Sequence, residues 1–213
     1  MPSRTLLSLI AIVVVAFAVA KMKAPASAEG EISEEARAAT LRFAPQVTAN
    51  DRAWIQAAIA AARPEAQRLI AEVDGTVEIR TDLRDSAAIG LAELTHEGAT
   101  VSFDVTQLNG DRALDRNVVV LHELGHVIDW YLVSDELVEQ LDQGIPRVGH
   151  CHAEGLPIGA CTAVPERFAD TFAKWALHGR VSLAGSGYGI PAPASIEDWG
   201  APVGLLAAQL NAR

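Results

Sequence analysis

The stretch Val118-Val119-Val120-Leu121-His122-Glu123-Leu124-Gly125-His126-Val127-Ile128-Asp129-Trp130 sets a His-Glu-x-x-His pattern inside an apolar run. Apolar residues on both sides require a largely buried helix, and this constrains the fold more than any other segment. Residues four apart share a helical face. His122 and His126 therefore point the same way, at a spacing that lets both imidazoles hold one Zn²⁺. Glu123 sits beside them, placed to take a proton from an activated water. Burying such polar groups without partners costs free energy, so the helix needs a reason to carry them. Gly125 costs about 1 kcal/mol relative to Ala in a helix interior, and its presence predicts another element passing close to the metal. The competing reading is a core helix whose two histidines are satisfied by neighbours.

A catalytic zinc of this kind takes three protein ligands. Six residues after His126 stands Leu132, which removes a compact three-histidine motif. Two candidates remain. Asp129 lies on the same face one turn on, but a single straight helix has trouble wrapping three ligands around one ion. Short of ligation, it would support the cluster from behind. The better candidate is Glu166, in Pro165-Glu166-Arg167-Phe168-Ala169-Asp170-Thr171-Phe172-Ala173. Pro165 opens a helix, and the helix dipole favours a carboxylate in the first turn. Ala169 and Ala173 share the face of Glu166 and permit close approach, while Phe168, Phe172 and Trp175 anchor another face in the core.

The remaining chain supplies the frame. Arg4 precedes an apolar run over residues 6–20, and Ala26-Ser27-Ala28 offers a small-residue cleavage pattern. Residues 1–28 thus read as a signal peptide cut after Ala28. Lys21 and Lys23 interrupt that layout, so an uncleaved membrane anchor through residues 6–20 is the alternative. Either reading puts the body in a secreted or extracytoplasmic place. Residues 29–50 read as a polar arm with a short helix near 34–43. Residues 51–213 form one domain. There, Asn50 caps a helix that Pro64 breaks and restarts, and strands are expected at 77–81, 88–94 and 99–105. Asp111 or Asp115 caps the His122 helix, Ser134 caps a short helix through 141, and a last helix spans about 203–210. The fold class is α+β, with a small, mostly antiparallel sheet. The edge of strand 99–105 could hold an extended peptide by backbone pairing. Residues 29–213 hold 14 basic and 27 acidic side chains, a net of −13, and such a body repels phosphate backbones, which argues against nucleic acid as a partner.

His122-Glu123-Leu124-Gly125-His126-Val127-Ile128-Asp129-Trp130-Tyr131, followed about forty residues later by Glu166-Arg167-Phe168-Ala169-Asp170-Thr171-Phe172, resembles the gluzincin zinc metallopeptidases. The nearest branch is similar to the catalytic domain of anthrax toxin lethal factor. The resemblance covers roughly residues 115–178 and rests on these two motifs. It implies a zincin-like fold, a Zn²⁺ cofactor and a peptide or protein substrate. It also implies His122, His126 and Glu166 as ligands, Glu123 as general base, and Asp170 as the acid that orients a ligand histidine. The chain departs from the branch in one place: a tyrosine that stabilises the oxyanion there corresponds to Gly159 here. Tyr188, His150 and His152 are the candidates for that task. A non-catalytic zincin-fold binding domain, or a zinc amidase acting on peptidoglycan peptides, are the alternative functions.

Cys151 and Cys161 are the two cysteines. In an exported chain an even count suggests a disulfide, which here would brace the segment that presents Glu166. A second metal site with His150 and His152 is the rival reading.

Overall fold

The computed structural model describes residues 41–84, 88–109, 115–147, 163–181, 189–210 and 212. The expectations for residues 1–28, Asp111, His150, Cys151, His152, Gly159, Cys161 and Tyr188 lie outside the described residues. Four strands and seven helices are described: β1 (Arg42–Phe43), α1 (Ala49–Ala60), α2 (Pro64–Glu72), β2 (Val77–Arg80), β3 (Gly90–Thr95), β4 (Gly98–Phe103), α3 (Val105–Leu108), α4 (Arg116–Leu132), α5 (Asp135–Gln143), α6 (Val164–Ala176) and α7 (Ile196–Leu210). The class is α+β, as the sequence implies.

The sheet corrects one expectation. Its strand order is β1-β2-β4-β3. The β1–β2 and β2–β4 pairs are parallel, and only β3–β4 is antiparallel. The sheet is therefore mixed rather than mostly antiparallel. Parallel neighbours need a long crossover, and α1 with α2 supplies one between β1 and β2. The β3–β4 hairpin then turns back so that β4 inserts beside β2, leaving β3 at the edge. Strand β4 is thus central, and among the described residues the sheet edge expected near 99–105 belongs to β3 instead. Strand β1 also moves the domain boundary. Leu41, Ala44 and Val47 are buried, so residues 41–50 belong to the domain and not to a polar arm, and Phe43 is in a strand rather than a helix.

Local sequence explains most helix ends. Thr48, not Asn50, caps α1, its Oγ1 accepting from the Asp51 amide at 3.1 Å. Pro64 occupies the first turn of α2, where its missing N–H costs nothing. Asp115 caps α4 by accepting from the Asn117 amide at 2.9 Å, and Ser134 caps α5. Helix α7 starts seven residues before the expected 203 and contains Pro202. Packing offsets the proline there: buried Trp199 donates its indole N–H to the Leu141 carbonyl at 3.0 Å. The Trp175 indole lies against Gly200, where a Cβ would come within 2.0 Å of its Nε1.

The core joins alternate sheet residues Val77, Ile79, Val101 and Phe103 to Ile55 of α1, Leu69 of α2, and Val120, Leu121 and Leu124 of α4. Among the described helices, α4 and α6 pack most extensively against each other. A Cβ on Gly125 would lie 3.1 Å from Ala169 Cα and 3.2 Å from a Phe172 ring carbon. The glycine permits this approach, and it brings the two motif-bearing helices into backbone proximity.

Candidate metal centre

Helix α4 presents His122 and Glu123 side by side and His126 one turn later, all buried. The two imidazoles meet edge-on, with centroids 4.9 Å apart. Glu166, in the first turn of α6, reaches between them. Its Oε2 lies 3.2 Å from His122 Nε2 and its Oε1 lies 3.5 Å from His126 Nε2. One donor atom from each of the three residues falls within 4.8 Å of the others. Tetrahedral coordination with metal–ligand bonds of about 2.0–2.1 Å sets ligand atoms about 3.3 Å apart. The His–Glu separations match that spacing, and the donor set of two imidazoles and a carboxylate suits a divalent cation. The residues therefore fit a metal ion.

The electrostatics agree. Hydrogen bonds from His122 and then His126 hold the Glu166 carboxyl well below the usual carboxylate range. Burial works to lower His122, but the hydrogen bond to Glu166 and the charges of Glu123, Glu166 and Asp170 outweigh it and raise it. Burial pushes Glu123 up, against the pull of the two histidines. The charges of Glu123, Glu166 and Asp170 thus all bear on His122, and a dication held beside it would relieve their mutual repulsion.

Glu123 is not among the three converging donors. Its carboxylate instead turns toward β3, against Gly90, where the Ala92 amide is the smallest of the influences on it and opposes the rise caused by burial. The strand register explains why that amide is available. The Asp104 amide donates to Ile89 O at 2.9 Å, and Gly90 stands opposite Phe103. Antiparallel pairs alternate between bonded and non-bonded, so Gly90, Ala92 and Leu94 direct their backbone groups away from β4, to the side of β3 that pairs with no strand among the described residues. Gly90 matters more than the amide, because a Cβ there would sit 2.4 Å from Glu123 Oε1. Sequence reading singles out neither residue, since a backbone donor and a missing side chain leave no chemical signature in a strand.

Asp129 stays outside the donor cluster. It is half-buried, and burial, with Asp135 adding repulsion and His126 opposing, pushes its carboxyl up to about 6. Asp170 is fully buried one turn beyond Glu166 and pairs with Lys174. Its charge reaches His122. Two supporting features were not singled out in the sequence. Trp130 stacks beside His126, its ring centroid 6.0 Å away at 22°. Fully buried Arg167 donates to Asp142 at 2.6 Å and to Ile145 O at 2.8 Å, tying α6 to α5 next to Glu166. The i, i+4 spacing of Asp170 and Lys174 was a legible signal; the Arg167–Asp142 pair, 25 residues apart, was not.

No helix among the described residues is long and apolar enough to cross a membrane. Comparison with protein-family models, with curated proteins and with solved structures gave no match, so the reading of this centre rests on its own residues and geometry.

Proposed function

We propose that the chain is an exported zinc-dependent metallopeptidase of the gluzincin type, with a zincin-like fold. The observation that carries this reading is the convergence of His122, His126 and Glu166 within 4.8 Å, with Glu123 beside them against β3. Zn²⁺ at such a centre supplies Lewis acidity, polarising a carbonyl and bringing the pKa of water near 7. The other roles belong to the chain. Glu123 accepts a proton from the attacking water and returns it to the leaving amine. The bare backbone of Gly90 leaves room for that carboxylate against β3. Strand β3 offers the outward backbone groups of Gly90 and Leu94 to an extended peptide, in the role expected of the 99–105 strand. Asp170 restrains His122, and Trp130 limits the freedom of His126. The leader pattern in residues 1–28 supports export, and the acidic body supports a protein or peptide substrate over nucleic acid.

Glu123→Gln tests the assignment. The variant keeps the side-chain volume and all three ligands, so it should bind zinc at wild-type stoichiometry. Cleavage of a peptide selected from a broad library, one that includes peptidoglycan-derived peptides, should fall by roughly 10²–10⁴-fold. Equal rates for wild type and variant would refute the mechanism. A zinc-loaded wild type that cleaves nothing in the library would point to a metal-binding module, and cleavage confined to the peptidoglycan peptides would point to an amidase.

A further inference from the structure

The face of α6 that carries Glu166 continues through Asp170 to Lys174, each four residues on. Asp170 is wholly buried and Lys174 nearly so. The Lys174 ammonium donates to Asp170 Oδ2 and to the Ile190 carbonyl. The Gly125–Ala169 approach sets this stretch of α6 directly against the histidine-bearing turns of α4. Lysine is among the residues least often buried completely unless it is paired, and removing one member of a buried ion pair strands the other. Nothing in the proposed chemistry uses an ammonium at this depth, since Lys174 is on the far side of Asp170 from the donor cluster along the helix.

We propose that Lys174 is a positioning residue for the metal: its ammonium fixes the Asp170 carboxylate one helical turn beyond Glu166, on the stretch of α6 packed against α4, and so sets the affinity of the His122–His126–Glu166 cluster for a divalent cation. The inference rests on the metal-site reading above. A carboxylate with one oxygen tied to an ammonium, itself tied to the Ile190 carbonyl, cannot turn about its own axis. Its other oxygen is then held in one direction, next to the Ala169 backbone that packs on the histidine-bearing turns of α4. Groups that orient ligand histidines in this way are typically worth about 10–100-fold in metal affinity. The sign separates positioning from plain charge. Deleting a nearby cation should by Coulomb's law strengthen the binding of another cation, whereas loss of positioning weakens it.

The test measures the Zn²⁺ dissociation constant of the full chain by competition with a chromophoric chelator. Lys174→Met and Asp170→Asn should each weaken binding about 10–100-fold. Lys174→Met should add nothing further in the Asp170→Asn background, and Lys174→Arg should recover most of the affinity. The visible absorption of the Co²⁺-loaded protein should change in Lys174→Met and return in Lys174→Arg. Unchanged or tighter zinc binding in Lys174→Met would overturn the proposal, as would a variant that melts lower without metal yet binds zinc normally. Should Lys174→Met fail to fold, Asp170→Asn with Lys174→Met removes both buried charges together, and wild-type affinity in that double variant overturns the proposal equally. Failure of the parent reading has a different signature: wild type itself would bind no zinc.

Discussion

Replacing Gly90 by alanine asks whether the edge strand holds Glu123 in register. The backbone at Gly90 does not adopt a positive φ, so alanine is compatible with its conformation. The added methyl would lie 2.4 Å from Glu123 Oε1, 2.7 Å from its Cγ and 2.8 Å from its Cδ. Comfortable contact begins near 3.5 Å, so the pair must separate by about 1 Å. The strand cannot supply that movement, because Gly90 is paired with Phe103 and Ile89 holds the Asp104 amide. Helix α4 cannot either, because residues 118–128 around Glu123 are all buried. The Glu123 side chain must therefore swing away from β3. Misplacement of a reacting group by about 1 Å costs about 10²-fold in rate. Stability should change little. Gly→Ala gains about 0.4–1 kcal/mol by restricting the unfolded chain, against about 1–3 kcal/mol for an extra methyl in a filled site. The net is a loss of about 1 kcal/mol, or roughly 2–4 °C in Tm. The variant should thus bind zinc stoichiometrically, melt slightly lower, and show kcat/KM about 100-fold below wild type on the same peptide. A kcat/KM within threefold of wild type would refute the placement of the base against β3, and loss of zinc would show that Gly90 supports the ligands instead.

Glu166→Ala should remove most bound zinc while Asp129→Ala retains it, by metal analysis after desalting; the reverse pattern would reassign the third ligand. Asp104, which caps α3, is held down to about 2 by hydrogen bonds from Thr106 and Gln107. A depressed carboxyl stabilises the fold above its ordinary pKa of 3.8 and stops doing so as pH falls through about 2. Urea denaturation of wild type and Asp104→Asn should therefore show a stability gap that is constant above pH 4 and closes towards pH 2; a gap independent of pH would count against the cap. Gly200→Ala drives a methyl to within 2.0 Å of the Trp175 indole nitrogen. It should cost about 3 kcal/mol and lower Tm by roughly 6–12 °C; an unchanged melting curve would mean that α7 is not packed on α6 in this way.

The parts of the centre that were legible in the sequence are those whose spacing is local. His122, Glu123 and His126 fall within one turn and a half of helix, and Gly125 announces the close approach that Ala169 fulfils. Glu166 was legible because Pro165 marks a helix start and the alanines mark its inward face. The rest depends on chain reversal and on backbone groups. A two-residue strand such as β1 carries no alternation, and without it the parallel pairs cannot be inferred. Which strand forms the sheet edge is likewise decided by where β4 inserts and not by its composition. The early start of α7 through Pro202 runs against local propensity and reflects the burial of Trp199. Thr48 and Asn50 are both good caps, and only the fold chooses between them.

The Gly125–Ala169 contact carries a consequence for chain topology. His122 and Glu166 stand 44 positions apart, and α5 together with the segments flanking it lies between them. An ion shared by the two would close that stretch into a ring in the same sense as a disulfide. Restricting the unfolded chain over a loop of this length is worth about 4 kcal/mol. Lengthening such a loop is inexpensive, since each doubling adds only about 0.6 kcal/mol. The connection between α5 and α6 is thus free to lengthen or shorten while the two helices remain clasped at Gly125 and Ala169.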